Sequence, residues 1–79
     1  MDLDAFVGAR SHEWLRLHEL SRRRAMTGAE ADEFLDLYQR TSTHLSVVRS
    51  ASPDPSVVTY LSGVLARARL TTVGAGTAG

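Results

Sequence analysis

The clearest periodicity lies in the middle of the chain. Ala31, Phe34, Leu35, Tyr38, Ser42, Leu45 and Val48 recur at spacings of three and four, while Asp32, Asp36, Arg40 and Thr43 fall on the opposite side. That is the pattern of an amphipathic helix. Its start is marked by Thr27-Gly28-Ala29-Glu30, a capping box in which the threonine hydroxyl takes an orphan amide and the glutamate reaches back to the cap. The helix is predicted over about 28–50. It ends where "SASPDPS" brings small polar residues and two prolines, because the residue before a proline is pushed away from helical angles.

The same effect favours the next helix. Asp54 precedes Pro55, so its backbone is biased to the extended region that an N-cap requires, and Pro55 occupies a position whose amide would be unpaired anyway. Val57, Val58, Leu61, Val64, Leu65 and Ala68 then form an apolar stripe, predicting a helix over about 55–70. Toward the amino end, Leu3, Phe6, Val7, Trp14 and Leu17 share a face, but Arg10 falls in its middle and Gly8 just before it. Glycine costs about 1 kcal/mol in a helix interior, so a kink or break is predicted around Gly8 to Ser11 within a helical segment over about 4–24. Residues 71–79, "TTVGAGTAG", lack periodicity and hold three of the six glycines, which predicts a flexible tail or linker. The predicted fold is all-α: one domain over 1–70, a three-helix up-down-up bundle with short connections between antiparallel neighbours.

Composition narrows the function classes. Nine arginines balance nine acids and there is no lysine, so no general attraction to polyanions or lipid headgroups follows from net charge. With no cysteine, disulfides and thiolate metal sites are excluded. The start of the sequence has neither a basic region nor an apolar core, so no secretory signal is expected, and no apolar run reaches the roughly 20 residues of a membrane span. On these grounds the stretch by itself is expected to be a soluble intracellular piece, cytoplasmic if the chain is complete.

Arg22, Arg23 and Arg24 are the one dense run of charge. Successive helical residues rotate by about 100°, so three in a row fan out instead of lining one phosphate grip. They suit a helix carboxyl end, with Glu19 placed to pair with them and Glu30, Asp32 and Glu33 facing them across an antiparallel hairpin. No nucleic-acid partner is expected, since a net basic patch is missing.

His12-Glu13 and His18-Glu19 each begin like the helical zinc motif His-Glu-x-x-His. Both fail at the fifth position, where Arg16 and Arg22 stand. His44 lies on another helix with no acid partner assignable from spacing. No metal ligands, cofactor-binding residues or catalytic residues are assigned, and no enzyme activity is expected. Trp14 is expected to be a core anchor.

The outer face of the third helix is unusual in carrying Thr59, Ser62, Gly63 and Ala66, with no charge before Arg67. Small residues at such spacing allow another helix to approach closely, so these four are either a merely solvated face or the candidate partner surface, for oligomerisation or for the remainder of a larger protein.

Four segments resemble a known family. "DAFV", "EWLRLHELSRRR", "TGAEADEFLDLYQRTSTHLSVVRS" and "PDPSVVTYLSGVLARAR" are similar to the amino-terminal region of stage II sporulation protein M homologues, in particular actinobacterial ones, over residues 2–69. Most specific is the order leucine-tyrosine-x-arginine (37–40), histidine-leucine (44–45), Pro-Asp-Pro (53–55) and Tyr-Leu (60–61). The resemblance implies the soluble helical head of a multi-spanning membrane protein that scaffolds partner proteins at the cytoplasmic face of the cell membrane. In endospore formers the family acts beside proteins that remodel peptidoglycan during engulfment. Its motif contains no known catalytic residue to carry over. The spans expected after Arg69 are not in this sequence. The alternative is a free-standing small helical adaptor or nucleic-acid-associated protein.

Overall fold

The computed structural model describes residues 2–51 and 54–78, with side chains as far as Thr71. Three helices account for the regular structure of these residues: α1 Leu3–Ser21, α2 Gly28–Ala51 and α3 Pro55–Ala78. Both sequence-predicted caps form. Glu30 N donates to Thr27 Oγ1 (3.1 Å) and Thr27 N donates to Glu30 Oε1 (3.0 Å), closing the capping box at the start of α2. Asp54 Oδ1 accepts from Ser56 N (2.8 Å) and Val57 N (3.4 Å), fixing the start of α3. Ser52 and Pro53, in the predicted loop between these helices, lie outside the described residues.

Cross-helix pairs establish the topology. Arg23 meets Glu30, Arg16 meets Glu33 and Trp14 meets His44, so α1 and α2 run antiparallel. At the other edge, Thr71 of α3 donates to the carbonyl of Ser21, while Ser56 and Val57 lie beside Val7 and Ser11, so α3 runs parallel to α1. This is the up-down-up bundle, drawn out to 41 × 19 × 15 Å.

The core divides into two clusters along that length. Leu17, Leu20, Phe34, Leu37, Val64, Leu65 and Ala68 fill one end, and Trp14, Val48 and Leu61 form a smaller cluster with Leu3, Phe6, Val7 and Val57 packed against it. Leu45 touches both.

Four sequence expectations are corrected. First, α1 is continuous through Gly8 to Ser11, and its cap is Asp2, whose Oδ1 accepts from Ala5 N at 3.2 Å. The cap, together with the packing of Leu3, Phe6 and Val7, offsets the cost of one glycine. Arg10 sits on the apolar face because its guanidinium lies 5.2 Å from the centre of the Phe6 ring, covering it as a cation on an aromatic face.

Second, α1 stops at Ser21, short of the predicted Arg24. Ser21 Oγ takes the carbonyl of His18 (2.7 Å), Thr71 Oγ1 takes that of Ser21 (2.7 Å), and the last amides fold back on Glu19 and Leu20. The arginines therefore follow the helix, beginning at its C-cap, Arg22.

Third, the buried face of α2 is rotated from the predicted stripe. Leu37 and Thr41 are buried, and Leu35 is 51% exposed.

Fourth, the helical backbone of α3 continues to Ala78, past the expected stop near Leu70. No proline or cap interrupts it, but Gly74 and Gly76 each weaken a helix by about 1 kcal/mol, which is the physical basis for a flexible end there.

Candidate functional site

At the smaller core cluster all three helices contribute an aromatic ring. Trp14 of α1 is 1% exposed, and its Nε1 donates to His44 Nδ1 of α2 at 2.9 Å. Indole nitrogen can only donate, so His44 must present a lone pair at Nδ1 and is neutral, with its proton on Nε2. Phe6 stands edge-on to the imidazole at 5.6 Å, and Tyr60 of α3 lies 6.3 Å from the Trp14 ring. Spacing alone could not pair residues 30 apart in sequence; only the antiparallel crossing of α1 and α2 brings them together.

Burial holds His44 below the ordinary imidazole range. Glu13 pulls the other way, while Arg10 and Arg40 reinforce the shift. A proton on Nδ1 would oppose the indole N–H, so the unfolded chain takes up that proton first as pH falls. The stability conferred by neutral His44 is complete above about pH 6.5 and is lost as pH falls below it. Thermal melts between pH 7.5 and 5 are expected to show a falling midpoint, and His44→Gln is expected to flatten that fall. An equally steep fall in the variant would assign it to other groups. Glu33 acts in a lower window. The two hydrogen bonds from Arg16 (2.8 and 3.0 Å) hold its carboxyl below the usual range against the opposing effect of burial, so its contribution is lost only as pH falls below about 4.3.

Beside Trp14 the surface opens into a cleft of about 250 Å³ between the amino-terminal halves of α1 and α3. Val7, Ser11 and Leu15 form one wall, Ser56, Val57 and Tyr60 the other, and Trp14 lines it between them. The lining contains no charged side chain. Leu15 is 61% exposed and Tyr60 42%, so large apolar surface continues onto the rim.

The four residues singled out on α3 follow the cleft-lining Ser56 and Val57 along the same helix. Thr59, Gly63 and Ala66 are exposed and Ser62 is half-buried. A Cβ built on Gly63 meets nothing within 4 Å, so that face is bare. No charged residue occurs from Pro55 to Ala66. The cleft itself was not legible in the sequence; the only signal was the missing charge on the outer face of α3.

The arginine run behaves as hairpin electrostatics. Arg23 pairs with both Glu19 and Glu30, bridging the end of α1 to the start of α2. Arg22 and Arg24 are exposed and make no ion pair among the described residues. His12 is exposed and His18 half-buried. Among the described residues no group of three or more His, Cys, Asp or Glu could hold a metal ion, and no helix is long and apolar enough to cross a membrane.

Fold and surface together define a small all-α domain: a three-helix bundle with an open apolar cleft at one end and an uncharged outer helix face. The chain belongs to the family described as a domain of unknown function, DUF8413, whose model matches residues 4–74. No curated protein and no solved structure matches it.

Proposed function

We propose that this chain is a non-catalytic helical interaction domain, and that it serves as the soluble head of an integral membrane protein of the stage II sporulation protein M type, where it positions partner proteins. The observation that carries the interaction role is the uncharged apolar cleft with its exposed rim residues Leu15 and Tyr60, on a helix that carries no charge from Pro55 to Ala66. Water-exposed apolar surface of this kind costs free energy unless a partner covers it, and contiguous patches on small domains mark interaction sites. Membrane attachment rests on the sequence resemblance alone, through spans outside this chain.

The test is an immunoblot of fractionated source cells with an antibody to this segment, followed by a native gel of the detergent-solubilised membranes. The expected band lies well above 8.6 kDa, the mass of this chain, and stays with the membrane pellet after carbonate extraction. On the native gel it runs in a larger complex that Leu15→Asp disperses. Leu15 is mostly exposed, so that change leaves the fold intact. A soluble band at 8.6 kDa would instead make the chain a free-standing adaptor, and a complex indifferent to Leu15→Asp would remove the docking role.

A further inference from the structure

The geometry points to a second copy of this chain as the occupant of the cleft, docked antiparallel along α3 so that Leu70 of each copy enters the cleft of the other. This rests on the face of α3 being a docking face, as proposed above, but not on membrane attachment.

One apolar side chain of α3 has no place in the core of its own bundle. Leu70 is 73% exposed, the most exposed large hydrophobic residue described. It lies on the same face of α3 as Gly63, seven residues away, and Ser56, a wall of the cleft, lies seven residues from Gly63 in the other direction. At 100° per residue all three fall within about 20° of one line along the helix. Knob and hole are therefore each about 10.5 Å from Gly63, one on either side. An isologous pair requires this relation, because a two-fold axis at Gly63 carries Leu70 of one copy onto Ser56 of the other. Gly63, with open space around it, allows the two helices to approach at the axis, and Thr59 and Ala66 flank it.

Charge selects the same orientation. On the α1 and α3 side, the three carboxylates Asp2, Asp4 and Asp54 outnumber the single cation Arg10 at the cleft end. Arg22, Arg24, Arg67 and Arg69 lie at the other end, exposed and without an ion pair among the described residues. Antiparallel docking places the arginine end of each copy against the acidic end of its partner. Parallel docking would set Arg67 beside Arg67 and leave each Leu70 facing its counterpart instead of a cleft.

The chain has no cysteine, so single cysteines report the register directly. Gly63→Cys is expected to form a disulfide between copies under mild oxidation. Leu70→Cys mixed with Ser56→Cys is expected to cross-link faster than Leu70→Cys with itself, since the two Leu70 positions lie roughly 21 Å apart along the axis and a disulfide needs Cα atoms within about 7 Å. Sedimentation equilibrium of the purified chain is expected to give a dimer. Leu70→Asp is expected to weaken it about 100-fold with the helix content unchanged, as for loss of an anchor side chain. A chain that stays monomeric at about 1 mM overturns the inference. So does a dimer indifferent to Leu70→Asp, or one in which Leu70→Cys links best to itself. A monomeric purified chain whose cellular complex still disperses with Leu15→Asp would refute the self-docking while leaving the interaction role standing.

Discussion

Replacing Trp14 by alanine is expected to lower the unfolding free energy by about 3–5 kcal/mol, the range for emptying a large aromatic from a core. A chain of this length is typically stable by roughly 4–12 kcal/mol, so a large share of that stability disappears. Three losses coincide. The indole is 1% exposed and is the centre of the smaller core cluster, so its apolar contacts with Val48 and Leu61 go and a cavity remains. His44 Nδ1 loses its donor, and Tyr60 loses the ring it packs against. The check is urea denaturation followed by circular dichroism, because the variant has no tryptophan left to report fluorescence. A loss below 1 kcal/mol would mean that this end of the bundle contributes little to stability. Trp14→Phe is expected to fall in between, retaining ring packing but leaving His44 Nδ1 without its donor.

The second large effect has the opposite sign. Thr41 is completely buried on α2, and its hydroxyl has no hydrogen-bond partner among the described residues. A buried unpaired polar group costs about 1–3 kcal/mol, and valine matches threonine in shape while removing that group. Thr41→Val is therefore expected to raise stability by about 1–2 kcal/mol. Thr41→Ser is expected to lower it, since it keeps the hydroxyl and opens a methyl-sized void. The two midpoints, measured side by side by thermal melting, decide the point. If valine destabilises, the hydroxyl has a partner, such as a buried water. A threonine tolerated at this cost is also where a stabilised variant for solution work would start.

Nothing in the α2 sequence by itself singles out Thr41 as a core position. The stripe through Leu35, Tyr38 and Ser42 omits both Leu37 and Thr41; yet Leu35 faces solvent, and the buried row runs through Phe34, Leu37, Thr41 and Val48. Two overlapping stripes were available on this helix. Which one is buried depends on where α1 and α3 lie, and composition along one helix does not encode that. Arg10 poses the same problem in reverse. Its position on an apolar face suggested a break, but a guanidinium over the Phe6 ring satisfies both the charge and the ring without one.

Local interactions account for what the sequence determined by itself: the capping box at Thr27, the Asp54-Pro55 start of α3, the apolar stripe of α3, the all-α class and the charge pairing around Arg23. Each depends on residues close in the chain or on helical period, so it is legible before the packing of the three helices is known. Tertiary structure decided the rest. It ended α1 at Ser21 by giving that carbonyl to Thr71, fifty residues away, and paired Trp14 with His44. It buried Thr41 without a hydrogen-bond partner among the described residues, and opened a cleft between two parallel helices. These features arise where side chains from different helices meet. Their positions follow from how three cylinders pack against one another, which no single helix specifies.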